Sequence, residues 1–487
     1  MPASVLETCP KCGFDGSTSR PEPAPFPAHL LSTNEPPTSL EASVLGEALK
    51  EHRAYIARLD NTIDELQAML ATQRRRRQAA TDQIRLGTTI LSIARRVPTD
   101  ILVEIFQRTV PDEPRKRHTE RSPWVLGRVC SRWRLICRSL PKIWVHLDHK
   151  LPLKMLEVHL ARSLPHLLTV EIGFPDTPSL RLLLASSKRW ETADVDMPWL
   201  PFIEDMLHAH WQFPALRRLK YNDKSGQHAL KAFSIAPALR DVVLSGNASL
   251  ELPWAQLERL SMKFSATIGL AELRTAKNLV ELTIMGRPYP VEPCADLELP
   301  HLRTLLIKDG KFLPSLVLPA LEDLYISVDI SSVPAFIERS GCPLTRFTTD
   351  VQCKSGDVLA ILERAPGLVD ACISGLQDAH HLLTQLTVPR DLCTYERPVA
   401  PALRALVLSN IRDAATCAQV VAMMESRRAS AACSTLSLCV LDFLVQWGIN
   451  PESLQTLAVL RDKGFEVEWL NGSRSMERYR GWRSRFP

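Results

Sequence analysis

The stretch LPHLRTLLI, residues 299–307, carries the pattern that decides the fold. Its apolar residues Leu302, Leu305 and Ile307 are separated first by two residues and then by one. The same spacing returns 19 residues later in LPALEDLYI, residues 318–326. Because successive side chains of a strand point to opposite faces, Leu305 and Ile307 would share one face. The pattern therefore predicts a short strand that buries one face.

This pattern recurs every 18 to 26 residues between Leu167 and Leu368. A strand and a short connection cannot bury their own apolar faces, whereas stacked strands form a parallel sheet with a continuous core. A period of 20–29 residues is typical of leucine-rich repeats. The fold class predicted for 151–474 is α/β, an irregular leucine-rich-repeat-like solenoid with a parallel sheet. An ordinary α/β domain with parallel strands is the alternative. The predicted units are Leu167/Val170/Ile172, Trp190/Ala193/Val195, Leu216/Leu219/Tyr221, Leu239/Val242/Leu244, Leu257/Leu260/Met262, Leu279/Leu282/Ile284, Leu302/Leu305/Ile307, Leu321/Leu324/Ile326, Leu344/Phe347/Thr349, Leu368/Ala371/Ile373, Leu403/Leu406/Leu408, a degenerate Cys433/Leu436/Leu438 and Leu454/Leu457/Val459.

The two ends of the repeats need caps, because a terminal strand otherwise exposes its apolar face and its unpaired edge. We expect the helix-like segment 153–164 to cover the first strand at Leu167. The segment GFEVEWL, residues 464–470, alternates apolar and acidic residues and predicts a final strand. The basic tail 475–487 is expected to be flexible.

Upstream, residues 1–39 are rich in proline, serine and threonine and are predicted to be disordered. Cys9 and Cys12 form the motif CPKCG, which is half of a zinc site. A structural zinc site needs four ligands, and no second pair follows at ligand spacing. An unstructured dithiol is therefore the preferred interpretation, and no metal or cofactor is predicted.

Residues 40–91 are predicted to form a long helix, which has no glycine or proline from Glu47 to Leu86. Apolar residues recur there at alternating spacings of three and four, which is the heptad pattern of a coiled coil. The pattern fades at Arg74–Arg77, a basic run that suits a solvated helix face, a nuclear signal or a phosphate patch. We expect a coiled coil, within the chain or between copies through 49–70; a single helix folding back on its own domain is the alternative. The seam consists of Leu49, His52, Ile56, Leu59, Ile63, Leu66 and Leu70.

Residues 92–150 contain more apolar and aromatic surface than so short a segment can bury. VPTDILVEIFQ, residues 97–107, predicts a helix that starts at a proline. A basic loop over 112–122 separates it from a second predicted helix, whose apolar face then leads to Trp144. That face consists of Leu126, Val129, Trp133, Ile136 and Leu140. Exposed apolar helical faces mark partner surfaces. Packing against the downstream domain is the alternative.

The anchors of this segment, in order, resemble an F-box. They are Val97-Pro98-Thr99-Asp100-Ile101-Leu102, then Ile105-Phe106, then Val129-Cys130-Ser131-Arg132-Trp133-Arg134, then Ile143-Trp144. Val97, Asp100 and Ile143 are conservative departures from the family pattern. The order of coiled coil, F-box and repeats also resembles large families of fungal F-box proteins.

The resemblance implies that a Skp-type adaptor, and through it a cullin, completes the apolar face. The adaptor contacts that it implies are Pro98, Ile101, Leu102, Ile105, Phe106, Val129, Trp133 and Trp144. Cys130, inside the motif, is expected to be a small buried side chain.

No nucleotide-binding, hydrolase or zinc-protease motif occurs in the chain, and we expect no enzyme. The 12 cysteines follow no disulfide framework, and the N-terminus lacks the features of a signal peptide, so a cytoplasmic or nuclear protein is expected. A net charge of +5 over 487 residues is too weak to indicate nucleic-acid binding. The sequence predicts a substrate-receptor subunit of an SCF-type ubiquitin ligase; the alternative is a scaffold that uses coiled coil and repeats without a ligase.

Overall fold

The protein was analysed as a computed structural model. It describes residues 23–26, 28–32, 35–109, 122–173, 177–197, 211–223, 229–231, 233–246, 249–263, 270–285, 297–389, 398–411, 416–443, 455, 458–461 and 464–471. The chain divides into two compact units, 1–101 and 102–487. Cys9, Cys12, the loop around 112–121 and the tail 475–487 lie outside the described residues.

The first unit is dominated by one long helix. Helix α1 (Ala28–Ser32) lies within the segment that was expected to be disordered, and α2 (Ser39–Ile90) runs for 52 residues. Thr38 caps α2: its hydroxyl accepts from the backbone N–H of Glu41, while the Glu41 carboxylate accepts from the N–H of Thr38 at 2.8 Å. These two hydrogen bonds satisfy donors that a helix end otherwise leaves unpaired. The predicted N-terminal helix is therefore present, and none of its residues is buried.

Short helices open the second unit, whose boundary falls inside α3. They are α3 (Thr99–Arg108), α4 (Ser122–Val129), α5 (Ser131–Arg138) and a 3-10 turn, Pro141–Trp144. The single helix predicted across Leu126–Leu140 is wrong. Cys130 adopts an extended backbone (φ −159°, ψ 173°) and divides that stretch into α4 and α5.

Within the described residues, fourteen parallel strands form one sheet in strict chain order. They are β1 (His146–Asp148), β2 (Leu168–Ile172), β3 (Trp190–Met197), β4 (Arg218–Asp223), β5 (Asp241–Gly246), β6 (Arg259–Lys263), β7 (Glu281–Ile284), β8 (Thr304–Asp309), β9 (Asp323–Val328), β10 (Arg346–Thr349), β11 (Asp370–Ser374), β12 (Ala405–Ile411), β13 (Leu438–Phe443) and β14 (Glu466–Asn471). Two two-residue ladders, 229–230 with 249–250 and 297–298 with 316–317, lie in the connections. The mixed α/β class with a large parallel sheet is confirmed.

The register stacks the repeated apolar positions into columns. Leu305 of β8 pairs with Leu282 of β7 and Leu324 of β9, and all three are buried. This stacking continues as one core from Leu147 to Phe465. Burying this apolar area stabilises the array by about 25 cal/mol per Å². The strands must stack because no single strand and connection could bury its own apolar face.

Helices and turns cover the core side of the sheet. Their buried side chains, such as Phe336 and Ile361, belong to the same core cluster as the strand leucines. The opposite face of the sheet therefore carries the intervening, mostly polar positions. The covering helices are α6 (Leu153–Arg162), α7 (Thr177–Ala185), α8 (Leu270–Thr275), α9 (Val333–Ser340), α10 (Ser355–Arg364), α11 (Ala379–Leu386) and α12 (Thr416–Ala429).

The sheet begins earlier than predicted, and the leading apolar residue of its first predicted repeat is shifted by one position. Strand β1, which has three residues, was not predicted, and it pairs with β2. In the first predicted unit Val170 and Ile172 are buried as expected, whereas Leu167 is exposed and its neighbour Leu168 is buried in its place.

Two predicted units near the C-terminus are wrong. The degenerate unit Cys433/Leu436/Leu438 is displaced by three residues, since Leu436, Cys439 and Leu441 are the buried set around β13. Val459 lies in a helical segment, residues 458–461; Leu454 and Leu457 lie outside the described residues. The final strand expected in 464–470 is confirmed as β14, which pairs with β13. No helix in the described ranges is long and apolar enough to cross a membrane.

Candidate protein-interaction surfaces

Helix α3 carries two parallel apolar ridges, and only one of them is buried. Leu102 and Phe106, one turn apart, are buried. The adjacent ridge contains Ile101 and Ile105, which are 48% and 45% exposed. Residues four apart lie above each other on a helix, so each ridge is a continuous stripe. The helix is thus anchored by one stripe and presents the other.

Aromatic packing fixes the anchored stripe to α5. The ring of Phe106 meets that of Trp133 edge to face, with centroids 4.9 Å apart. The Cys130 sulfur caps α5 by accepting from the Trp133 N–H at 3.5 Å. Cys130 is exposed, so the expectation that it is a buried side chain is wrong. Its capping geometry places the Sγ atom at the start of the helix, outside the packed interior.

Trp144 ties the 3-10 turn to α5 from inside. Its ring is buried, and its Nε1–H donates to the carbonyl of Cys137 at 2.7 Å. Trp124 of α4 packs on it edge to face, with centroids 5.4 Å apart. The Arg162 guanidinium lies 4.5 Å from the centre of the Trp144 ring, in reach of a cation–π interaction. Tryptophan thus brings together α4, α5 and α6.

His159 of α6 completes this cluster as a neutral imidazole. Its Nδ1 lies 3.3 Å from the carbonyl oxygen of Trp144, which can only accept, so Nδ1 carries the proton. Its Nε2 then accepts from the Nε1–H of Trp124 at 3.0 Å. Burial lowers the pKa of His159 to about 4. The Arg162 charge acts in the same direction, while hydrogen bonds to the backbone at Trp144 and His146 oppose it.

The eight predicted adaptor contacts fall into three groups. Pro98, Ile101, Ile105 and Val129 are exposed, and Val129 is 57% exposed. Trp133 is half-buried. Leu102, Phe106 and Trp144 are buried within the chain. The buried three hold the helices together, and the exposed four remain available to a partner.

Helices α4 and α5 each carry one exposed apolar side chain that was missed from the sequence. Val125 of α4 is 44% exposed, and Leu135 of α5 is 67% exposed. Leu135 directly precedes the buried pair Ile136 and Cys137, so it points away from the interior. The position of Leu135 in the helical period would have found it, once the buried face of α5 was known.

The polar face of the sheet forms a second surface, on which charges pair across neighbouring strands. The carboxylate of Asp241 on β5 receives Arg218 of β4 at 2.9 Å and Arg259 of β6 at 3.3 Å. On β10, Arg346 reaches Asp323 of β9 at 3.0 Å and Asp370 of β11 at 3.4 Å. Opposite charges at register-matched positions stabilise such pairs.

Burial modifies the carboxyl groups on this face. Burial raises the pKa of Asp323, although the Arg346 charge and hydrogen bond oppose the change. Burial also raises the pKa of Glu171 on β2, and its neighbours Asp148 and Asp194 add to the effect. These three residues are aligned across β1, β2 and β3. The first strands therefore present an acidic corner, where Lys220 pairs with Asp194 at 2.9 Å.

The same face becomes apolar toward the C-terminal strands. Val407 of β12 and Val440 of β13 occupy matched positions between core residues and are buried, yet they are not part of the main core. Cys372 of β11 pairs with Val407 in the register. The polar face thus offers distinct chemistry at its two ends.

No protein-family model matches the chain, and comparison with curated proteins finds no relative.

Proposed function

We propose that the chain is the substrate-receptor subunit of an SCF-type ubiquitin ligase. Its segment 92–150 acts as an F-box that binds a Skp-type adaptor, and the adaptor links it to a cullin. Residues 151–474 act as a leucine-rich-repeat-like solenoid that binds a target protein. The chain catalyses no reaction itself; it brings the target close to the transfer machinery of the other subunits.

The observation that carries the proposal is the pair of ridges on α3, together with Val129. Residues at motif positions divide into a buried set that fixes the helices and an exposed apolar set. Apolar side chains held on packed helices lose little conformational entropy on binding, so they suit a stable interface. Of the predicted contacts, the four exposed residues, Pro98, Ile101, Ile105 and Val129, contact the adaptor directly. Leu102, Phe106 and Trp144 act indirectly, by supporting those side chains.

Leu135 joins this proposed interface as a further apolar contact. Hot-spot residues cluster at the centre of an interface, where water is excluded. Leu135 is more exposed than Ile101, Ile105 and Val129, so its burial by a partner would remove more apolar area from water.

The polar face of the sheet is the proposed target surface. Its strands follow each other in chain order, and this supports a solenoid in which each repeat contacts its neighbours. The ion pairs around Asp241 and Arg346 hold side chains in place before any target arrives. Pre-ordered side chains reduce the entropy lost on binding.

Affinity purification of the full chain from cells tests the proposal. We expect a Skp-type adaptor and a cullin to co-purify in comparable amounts. Target proteins should accumulate in the same sample when the proteasome is blocked. Recovery of protein partners without adaptor or cullin would contradict the ligase assignment.

A scaffold without a ligase is the second candidate, and the exposed apolar seam of α2 favours it. Six seam residues of this helix are between 40% and 57% exposed: Leu49, Ile56, Leu59, Ile63, Leu66 and Leu70. A scaffold would keep all its partners when 92–150 is inactivated. A substrate receptor would lose the adaptor and the cullin but keep its target.

A further inference from the structure

The apolar seam of α2 is long, regular and uncovered. It begins near Leu49 and ends at Leu70, which is about 33 Å at 1.5 Å per residue. No residue of α2 is buried. A helix in water gains most of its stability from packing of its apolar face, and this face has no such packing along Ile56–Leu70. The seam therefore needs an occupant.

The residue types on the seam specify that occupant. Assigning heptad positions from the spacing puts Leu49, Ile56, Ile63 and Leu70 at a. Leu59 and Leu66 then occupy d. A β-branched residue at a with leucine at d favours a parallel, two-stranded coiled coil. We infer that a second copy of this chain docks on α2, in register and parallel, over Leu49–Leu70.

Charges beside the seam permit this pairing. In a parallel dimer, the residue before each a position faces the residue after the next d position of the partner. The resulting pairs are Ala48 with Arg53, Tyr55 with Asp60, Thr62 with Gln67 and Met69 with Arg74. No pair joins like charges, so nothing opposes the match of the helix with itself. The seam ends where Arg77 occupies an a position.

The N-terminal segment competes for one layer of the dimer. His52 occupies a d position, and its Nε2 lies 3.1 Å from the carbonyl oxygen of Ala24. The ring of Phe26 packs on it, with centroids 5.0 Å apart. In the dimer the two His52 side chains would share this layer, so residues 23–26 must leave it. Removal of residues 1–35 should therefore tighten the dimer.

Sedimentation of the full chain over a range of concentrations tests the inference. We expect a monomer–dimer equilibrium. Ile63→Gln with Leu66→Gln removes two adjacent layers while keeping good helix formers, and it should raise the dissociation constant more than about tenfold. Leu40→Gln with Val44→Gln is the matched control, because these residues are more exposed and lie off the seam. The control should keep the dimer.

Cysteine cross-linking tests the orientation. Leu66→Cys at d should form an intermolecular disulfide under mild oxidation, because equivalent d positions meet in a parallel dimer. Ala68→Cys on the outer face should not. A monomer at every concentration, a trimer, an undiminished dimer in the seam variant, or equal cross-linking at both positions would overturn the inference. None of these results depends on adaptor binding, so the test is separate from that of the ligase proposal.

Discussion

His159 holds α4, the 3-10 turn and α6 together only while it is neutral. Protonation of Nε2 would place two donors, His159 and Trp124, face to face across 3.0 Å. The folded protein therefore resists protonation of this imidazole. The Trp144 ring meets this imidazole edge to face, with centroids 4.9 Å apart, and so supports the helical segment from inside.

We expect this imidazole to make stability depend on pH. The pKa of His159 falls from its ordinary value of 6.5 to about 4 in the folded state. Below pH 6.5 the unfolded chain therefore binds more protons than the folded chain. The stability that the neutral imidazole contributes above pH 6.5 is lost as the pH falls toward 4. The loss amounts to about 3 kcal/mol. Thermal unfolding of the full chain at a series of pH values measures it.

The matched pair of variants isolates the effect of His159. His159→Gln removes the titrating group and should flatten the dependence between pH 6.5 and 4. His380→Gln, at an exposed histidine, should leave the dependence as it is. Identical slopes for His159→Gln and the parent protein would exclude His159 as the origin.

Arg427 is a buried arginine with an exposed fraction of 0%. Its guanidinium donates to the carbonyls of Ala400 at 2.6 Å, Val399 at 3.1 Å and Leu386 at 3.4 Å. Lysine keeps the charge but cannot serve carbonyls in this fork geometry. Arg427→Lys should lower the free energy of unfolding by about 2 kcal/mol, measured by denaturant titration. Arg404→Lys, at an exposed position, is the control. Equal stability of the two variants would show that the fork adds nothing.

The sequence could not distinguish the two ridges of α3. Leu102 and Ile101 are both apolar and one residue apart, and either could have faced inward. The choice depends on Trp133, which comes from later in the chain and packs on Phe106. Cys130 was misassigned because a cysteine can either pack as a small apolar side chain or accept a helix-capping hydrogen bond through its sulfur, and the sequence does not distinguish the two.

Among the elements, repeats with three strong apolar residues were predicted correctly, and the failures have physical causes. Strand β1 buries a single central residue, Leu147, so it carries no detectable pattern. The spacing around Val459 fits a helix as well as a strand, because positions three apart also share a helix face. Leu460, which lies in that helical segment, is buried.

Strand β14 is the last strand of the sheet and pairs with β13. Deletion of 460–487 removes β14 and so exposes the edge of β13. It also removes the buried residues Leu460 and Phe465. We expect aggregation or proteolysis that starts at the new C-terminus. Deletion of 475–487 alone should be tolerated. Thermal unfolding and limited proteolysis compare the two truncations; equal behaviour would mean that β14 does not cap the sheet.

For the whole molecule, the two proposals combine into a bivalent receptor. A parallel α2 dimer would link two sheets and two helical segments. Linked binding modules gain avidity when both engage one target, provided that the geometry allows it. The overall plan of helix, helical segment and sheet was predictable because heptads and repeats are periodic. The partners of the exposed side chains were not, since an apolar surface does not encode the protein that covers it.

In the proposed complex, exposed side chains of α3 and α4 bind the adaptor. The variant Ile105→Asp with Phe106→Asp would not test this cleanly, because Phe106 is buried and its replacement would unfold the segment. Ile105→Asp with Val129→Asp changes only exposed positions. The matched control is Ile235→Asp, at an exposed apolar residue of the sheet unit.

The decisive measurement is the affinity of the purified full chain for a purified Skp-type adaptor, determined by calorimetry. Burying an unpaired carboxylate in an apolar interface costs several kcal/mol, so Ile105→Asp with Val129→Asp should weaken binding at least about 100-fold. The thermal stability of this variant and the affinity of Ile235→Asp should match the parent protein. Unchanged adaptor affinity in the double variant, or no adaptor binding by the parent, would contradict the F-box assignment.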